Sequence, residues 1–357
     1  MSQNQILFFI FLFCLNPFLG TLSLLIVKMM INKRDTNSDF LVFLFITLFV
    51  CLLQYTRIWN PNLQSDWYGG AYWGLFLKVP NTSFVEYTIG AYKEPVWNLL
   101  NYIGYYITCG NYQIFSGAVA ITTNGLLAYS IYRYWKYANL PSVTLISMLS
   151  LLLSEYFGTI NNLLRQFFAV SIVIYVYVGK IISGKVNWWL LIAACFIHTL
   201  SFIFLPFIVW KPLFHTIKWR QLIYIILVLC ISVIVINNIS FLSRLFSSID
   251  FLMYGFSRIE SGANPADKNY LAFDSTAVYV TAIFVSAMCI LMNYFLRKDK
   301  CTIFLTNVMF FLMIICILIY NLLPEIMTRI YVMRFCIWPF VLPLFMVKYK
   351  PVNTVYA

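Results

Sequence analysis

Charge is scarce in this chain. Only 10% of its 357 residues are Asp, Glu, Lys or Arg, against about a quarter in soluble domains, which excludes an ordinary soluble globular protein. Acidic groups number 12 and histidines 2, so carboxylate-rich or histidine-rich metal chemistry has few donors. The cysteines (Cys14, Cys51, Cys109, Cys195, Cys230, Cys289, Cys301, Cys316, Cys336) are scattered without a C-x-x-C pair. Most fall inside apolar runs, where Cys acts as a small hydrophobe, so neither a disulfide framework nor a metal site is expected. Also missing are a G-x-x-x-x-G-K-[ST] phosphate loop, an H-E-x-x-H zinc motif and a G-x-S-x-G elbow. No internal repeat of the kind common in secondary transporters is found. The N-terminal stretch lacks a basic leader and a small-residue cleavage site, and is expected to be a retained first span.

What the chain does have is apolar length. Hydrophobic residues make up 62% and aromatics 19%, and mean hydropathy is +0.83. With about 20 apolar residues needed per crossing, spans are expected near 6–31, 40–56, 112–132, 141–157, 163–184, 219–239, 276–296, 302–320 and 331–347. The expected fold is all-α: one polytopic transmembrane helical bundle over 1–357. It has about nine to eleven membrane segments when re-entrant or interfacial helices are counted. Two polar segments, 57–94 and 240–275, are expected as outer loops.

The net charge of +12 would suggest nucleic acid in a soluble chain. Here the excess is dispersed, no nucleic-acid partner is expected, and the charge is assigned to topology. Six clusters (Lys28/Lys33/Arg34, Arg133/Lys136, Lys180/Lys185, Lys211/Lys218/Arg220, Arg297/Lys298/Lys300 and Lys348/Lys350) alternate along the chain. Placed on the cytoplasmic side by the positive-inside rule, they imply an outside N-terminus and an inside C-terminus. Parity then forbids 95–109 from crossing. It also makes 187–210, which begins and ends beside basic clusters, a re-entrant or broken helical pair near His198, tolerated where protein buries the backbone.

A few polar residues in or beside apolar segments need a reason. Asp66 lies in SDWYGGAYW with Trp67, Tyr68, Tyr72 and Trp73. This is either a solvated carboxylate beside an interfacial aromatic belt or an acid beside rings that can stack on sugars. Glu94, before Pro95 and Trp97, offers the same choice. Arg165 follows Asn161 and Asn162 and precedes Gln166; at helical spacing Asn161, Asn162 and Arg165 share a face. A guanidinium there suits bidentate phosphate recognition. Arg329 and Arg334 open the last span; Glu325, four residues before Arg329, supplies a simple ion pair for it and leaves Arg334 unpaired. His198, with Thr199 and Ser201 nearby, is either a satisfied core group or a catalytic one, and His215 is expected at the surface. This inventory suits an anionic, lipid-linked substrate handled at the outer leaflet.

Three stretches resemble the EpsG family of Wzy-type polysaccharide polymerases. They are Asp66-Trp67-Tyr68 with Tyr72 followed by EPVWNLLNYIGYYITCGNYQIF at 94–115, then NNLLRQFFAV running through to FIHTLSFIFLPF, and last TRIYVMRF. Together they span about two-thirds of the chain in the family's order. Trp67 stands where relatives often carry Tyr. The resemblance implies a bacterial inner-membrane glycosyltransferase needing no nucleotide-sugar donor, no cofactor and no metal. It would extend an undecaprenyl-diphosphate-linked glycan, with a chain-length regulator as an expected partner. On that reading Arg165, with Arg329 or Arg334, holds diphosphate. Asp66 or Glu94 accepts a proton or orients sugar, and His198 is a further candidate. Trp67, Tyr68, Tyr72, Asn161 and Gln166 contact sugar. Two rival readings are a flippase for the same lipid-linked oligosaccharide and a membrane O-acyltransferase centred on His198.

Overall fold

The structure, a computed structural model, describes residues 2–31, 35–55, 72–90, 94–153, 163–218, scattered positions between 220 and 234, 275–295, 300–320 and 324–346. Among these no strand occurs. The helices are α1 (Gln3–Leu15), α2 (Pro17–Ile31), α3 (Thr36–Tyr55), α4 (Tyr72–Leu77), α5 (Pro95–Ile107), α6 (Tyr112–Tyr137) and α7 (Ser142–Ser150). They continue with α8 (Leu164–Ser183), α9 (Trp188–Ile197), α10 (Leu205–Val209), α11 (Ser275–Phe295), α12 (Lys300–Ile319) and α13 (Pro324–Val341). Six segments are long and apolar enough to cross a bilayer: Thr36–Leu53, Tyr112–Tyr137, Leu164–Ser183, Thr276–Asn293, Thr302–Ile319 and Ile326–Leu344. The protein is an all-α, multi-pass membrane protein. It divides into two compact units, Met1–Val209 with Phe335–Val347, and Trp210–Arg334 with Lys348–Ala357.

The first expected span, 6–31, is not one helix. Asn16 is extended (φ −151°, ψ 105°) and Pro17 starts a new helix, because proline cannot donate to a preceding turn. The Asn16 carboxamide accepts from the Leu19 N–H at 3.1 Å and caps α2. The chain folds back so tightly that a Cβ on Gly20 would lie 2.4 Å from the Phe13 Cα. At 13 and 15 residues, each helix is about 20 Å long, short of a core of about 30 Å. Counting 6–31 as a single crossing, on which the outside N-terminus rested, is thereby corrected. The expected 141–157 span is α7 followed by a 3-10 turn, Leu151–Leu153. The expected 219–239 span and the 240–275 loop lie mostly or wholly outside the described residues.

α3 and α6 run antiparallel. Phe43 packs on Tyr132 (centroids 4.8 Å), the Cys51 thiol faces the Ile121 carbonyl, and Tyr55 lies where a Cβ on Gly117 would go. α6 also packs along α8, with Tyr129 stacked on Tyr175 near their C-terminal ends. At the other end of α6, an aromatic cluster joins α4 and α5 to it: Phe76 stacks on Phe115 at 5.0 Å, and Trp97 meets the same ring. The α2–α3 junction is tied by a buried ion pair, Lys28 Nζ to Asp39 Oδ1 at 2.8 Å, with Lys28 also donating to Ser38 Oγ at 2.6 Å. Lys28, expected as one of the topology-setting charges, is therefore neutralised in the core.

Segment 187–210 has the expected break. α9 ends at Ile197, His198 is extended, and a 3-10 turn covers Thr199–Phe204. The chain then doubles back. Phe202 packs on Phe196, and the Phe204 carbonyl accepts from Tyr177 Oη at 2.5 Å, well toward the C-terminal end of α8. His198 thus stands at the apex of a doubled-back pair.

In the second unit, α11 and α12 pack together, and Asn293 donates to the Asn307 carboxamide oxygen at 2.8 Å. Asn307 in turn donates to the carbonyls of Leu213 (2.8 Å) and His215 (3.0 Å), pinning the irregular segment before residue 218. The His215 side chain is at the surface, as expected.

Candidate functional site

Glu94 is the hub. Because Pro95 follows, Glu94 is kept out of helical geometry (φ −132°, ψ 73°), and its carboxylate makes no cap to its own helix. It is instead buried, 6% exposed, and faces α8 and α9. Oε1 accepts the Thr199 backbone N–H at 3.0 Å and lies 2.8 Å from His198 Nδ1. The other oxygen, Oε2, is ion-paired with the Arg165 guanidinium.

His198 is placed by a local break and Arg165 by the start of a helix. The His198 N–H still bonds Ala194 O at 3.0 Å, so the residue closes α9 while its side chain is freed from the helix surface. Arg165 is in the first turn of α8. Its guanidinium carbon lies 5.2 Å from the Tyr72 ring centroid, a cation–π contact. Tyr72 is itself edge-on to Trp97 at 5.9 Å. The Arg165 side chain keeps 25% of its surface exposed, so it can meet a ligand while held from below.

Burial alone would raise the Glu94 pKa. The hydrogen bond with His198, the Arg165 charge, the charge of His198 and the Thr199 amide outweigh it and hold the carboxyl below its usual range. Glu94 is therefore a carboxylate at neutral pH, acceptor-only, so Nδ1 of His198 is assigned as the donor to Oε1. A carboxylate so stabilised is a weak proton acceptor and a good orienting group.

The expected site residues fall into four groups. Glu94, Arg165, His198 and Tyr72 come together. Tyr72, however, is buried (4% exposed) with the guanidinium over its ring, so it serves as a cation platform. Gln166 is also buried, at 1%, on the packed face of α8. Asp66, Trp67, Tyr68 and Asn161 lie outside the described residues. Arg329 and Arg334 belong to α13, in the second unit. Arg334 is buried and engages Tyr331 three residues earlier, donating to its hydroxyl with the guanidinium carbon 3.9 Å from the ring centroid. The expectation that Arg334 is unpaired is corrected by that contact, and the Glu325 side chain lies outside the described residues.

Two residues were missed. Asn98 and Asn101, four and seven positions after Glu94, continue its face of α5 and are 3% and 0% exposed. The Asn98 Nδ2 and both polar atoms of the Asn101 side chain have no hydrogen-bond partner among the described residues. Their helical spacing from Glu94 was the available signal.

A sequence model of the EpsG family matches residues 40–356. The chain belongs to the EpsG family. That match takes in Tyr72, Glu94, Arg165 and His198, and both α13 arginines. No curated protein and no solved structure matches the chain. Family membership suggests a polysaccharide polymerase-type role.

Proposed function

We propose that this protein polymerises undecaprenyl-diphosphate-linked repeat units at the outer face of a bacterial inner membrane. The site and the aromatic cluster beneath it face outward, and the basic connections and the C-terminus face the cytoplasm. A hydroxyl at the non-reducing end of one lipid-linked unit attacks the anomeric carbon of the growing glycan. The bond from that carbon to the diphosphate oxygen breaks, and undecaprenyl diphosphate leaves with its electron pair. The product is a longer O-glycoside on the acceptor's carrier, making the protein a glycosyltransferase whose donor is a polyprenyl diphosphate.

The observation that carries this reading is a single buried carboxylate shared by His198 and Arg165. His198, with Nδ1 held by Glu94, takes the hydroxyl proton at Nε2. Arg165, partly exposed on its tyrosine platform, stabilises the charge developing on the departing diphosphate. Glu94 orients both and does not itself accept the proton. Asn98 and Asn101 continue the Glu94 face of α5 as buried amides. Asp66, Trp67, Tyr68 and Asn161 would supply further sugar contacts. A chain-length regulator would be a partner.

The pairing of His198 with a carboxylate also favours a second reading, O-acyl transfer to the glycan. One experiment separates them: glycan length in a strain lacking the gene, complemented with wild type, Arg165→Ala or His198→Ala. The polymerase reading expects single repeat units in the deletion strain and no restored ladder with either variant, each present in the membrane at wild-type level. Persistence of long chains lacking only acyl groups would replace it with the acyltransferase. Long chains with unchanged composition would refute both.

A further inference from the structure

The opposite end of α8 carries a second site. Arg165 and Ser183 are 18 positions apart on one helix, about 27 Å at 1.5 Å per residue, close to one hydrocarbon thickness. There the C-terminal ends of α6 and α8 meet the first turn of α9 around a cleft of about 470 Å³, lined by Arg133, Tyr175, Lys185, Asn187, Trp188 and Trp189 among others. That volume is in the range of small-molecule sites.

The lining is specific in its chemistry. The Arg133 guanidinium carbon lies 5.7 Å from the Tyr129 centroid and 5.3 Å from that of Tyr175, so the cation is held by two rings that stack on each other. Among the described residues, neither Arg133 nor Lys185 has a carboxylate partner. Asn187 caps α9 by accepting the Leu190 N–H at 3.2 Å. The first-turn amides of that helix have no intrahelical acceptor and border the cleft with the positive end of the helix dipole. Trp188 and Trp189 are 45% and 85% exposed, as indoles are at a bilayer interface.

Two cations, a helix N-terminus and two exposed indoles fit one kind of ligand: a phosphate ester on a membrane amphiphile. The arginine fork and the helix amides match phosphate oxygens, and the indoles match the glycerol–acyl boundary. We infer that this cleft binds the headgroup of an anionic phospholipid, on the membrane face opposite the Glu94 site. The reading does not depend on the glycan chemistry.

The test uses the full chain in phosphatidylcholine nanodiscs titrated with phosphatidylglycerol, with retained lipid counted by native mass spectrometry. Arg133→Gln and Lys185→Gln should each weaken retention about fivefold, the loss of one basic contact near the surface. Lys136→Gln, an exposed charge on the same helix end but outside the cleft, should leave it unchanged. Lys185 is exposed, so its variant carries the test if Arg133→Gln fails to fold. Equal losses in all three variants would reduce the effect to general surface charge and overturn the site. So would retention of phosphatidylglycerol no better than phosphatidylcholine. Competition by inorganic phosphate at equal concentration would show a free-anion site and overturn the lipid assignment.

Discussion

Glu94 and His198 lie 104 residues apart in the chain and meet at 2.8 Å. Glu94 precedes the proline that opens α5, and His198 closes α9 in extended geometry. The same carboxylate also pairs with Arg165, so one acidic group orders the imidazole and the guanidinium together. Removing it should disable both at once.

Glu94→Gln keeps the shape but loses the charge. Glycan transfer in reconstituted vesicles should fall about 10²-fold or more, the scale of a lost acid–base arrangement. Equal activity of Glu94→Gln and wild type would remove Glu94 from the mechanism.

Acid should reveal the same group. The folded-state pKa of Glu94 is lowered, so its stabilising contribution is present above the ordinary glutamate value of about 4.3. It is lost as pH falls through the lower folded value. Wild type should therefore melt above Glu94→Gln in detergent at neutral pH, with the gap closing below about pH 4.

Arg165→Lys tests geometry separately from charge. A lysine keeps the cation but loses the fork that can hold Glu94 and phosphate together. Activity should stay well below wild type although the protein folds normally, as read by its melting temperature. Full activity in Arg165→Lys would reduce the role to simple charge.

The buried Lys28–Asp39 pair makes a stability prediction. Lys28→Met leaves Asp39 uncompensated and should cost about 3–5 kcal/mol, whereas Lys28→Met combined with Asp39→Leu should recover most of it. Denaturant titration of both variants in detergent checks this.

The Gly20–Phe13 approach makes another. Gly20→Ala places a methyl 2.4 Å from backbone atoms of α1 and should destabilise by about 1–3 kcal/mol as the two helices part. The same change at Gly125, whose Cβ would meet nothing within 4 Å, should cost far less.

Composition by itself determined the class of this protein. With 62% hydrophobic and 10% charged residues, the backbone has to satisfy its polar groups internally in lipid, and helices do so within one segment. The sequence also singled out Glu94, Arg165 and His198, because a charged or basic side chain beside an apolar run is costly wherever it lies. It marked the break in 187–210 through charge parity. Only the tertiary structure decided that Pro17 opens the second helix of a back-folded pair: an apolar run looks the same in hydropathy whether continuous or doubled, and the difference lies in one extended residue and one glycine contact. It also decided that Lys28 is buried against Asp39 and that Arg334 engages Tyr331. Above all, it decided that His198 and Arg165 share the Glu94 carboxylate. Pairings of that kind span long stretches of chain and are set by which helices pack together, a property that no local spacing encodes.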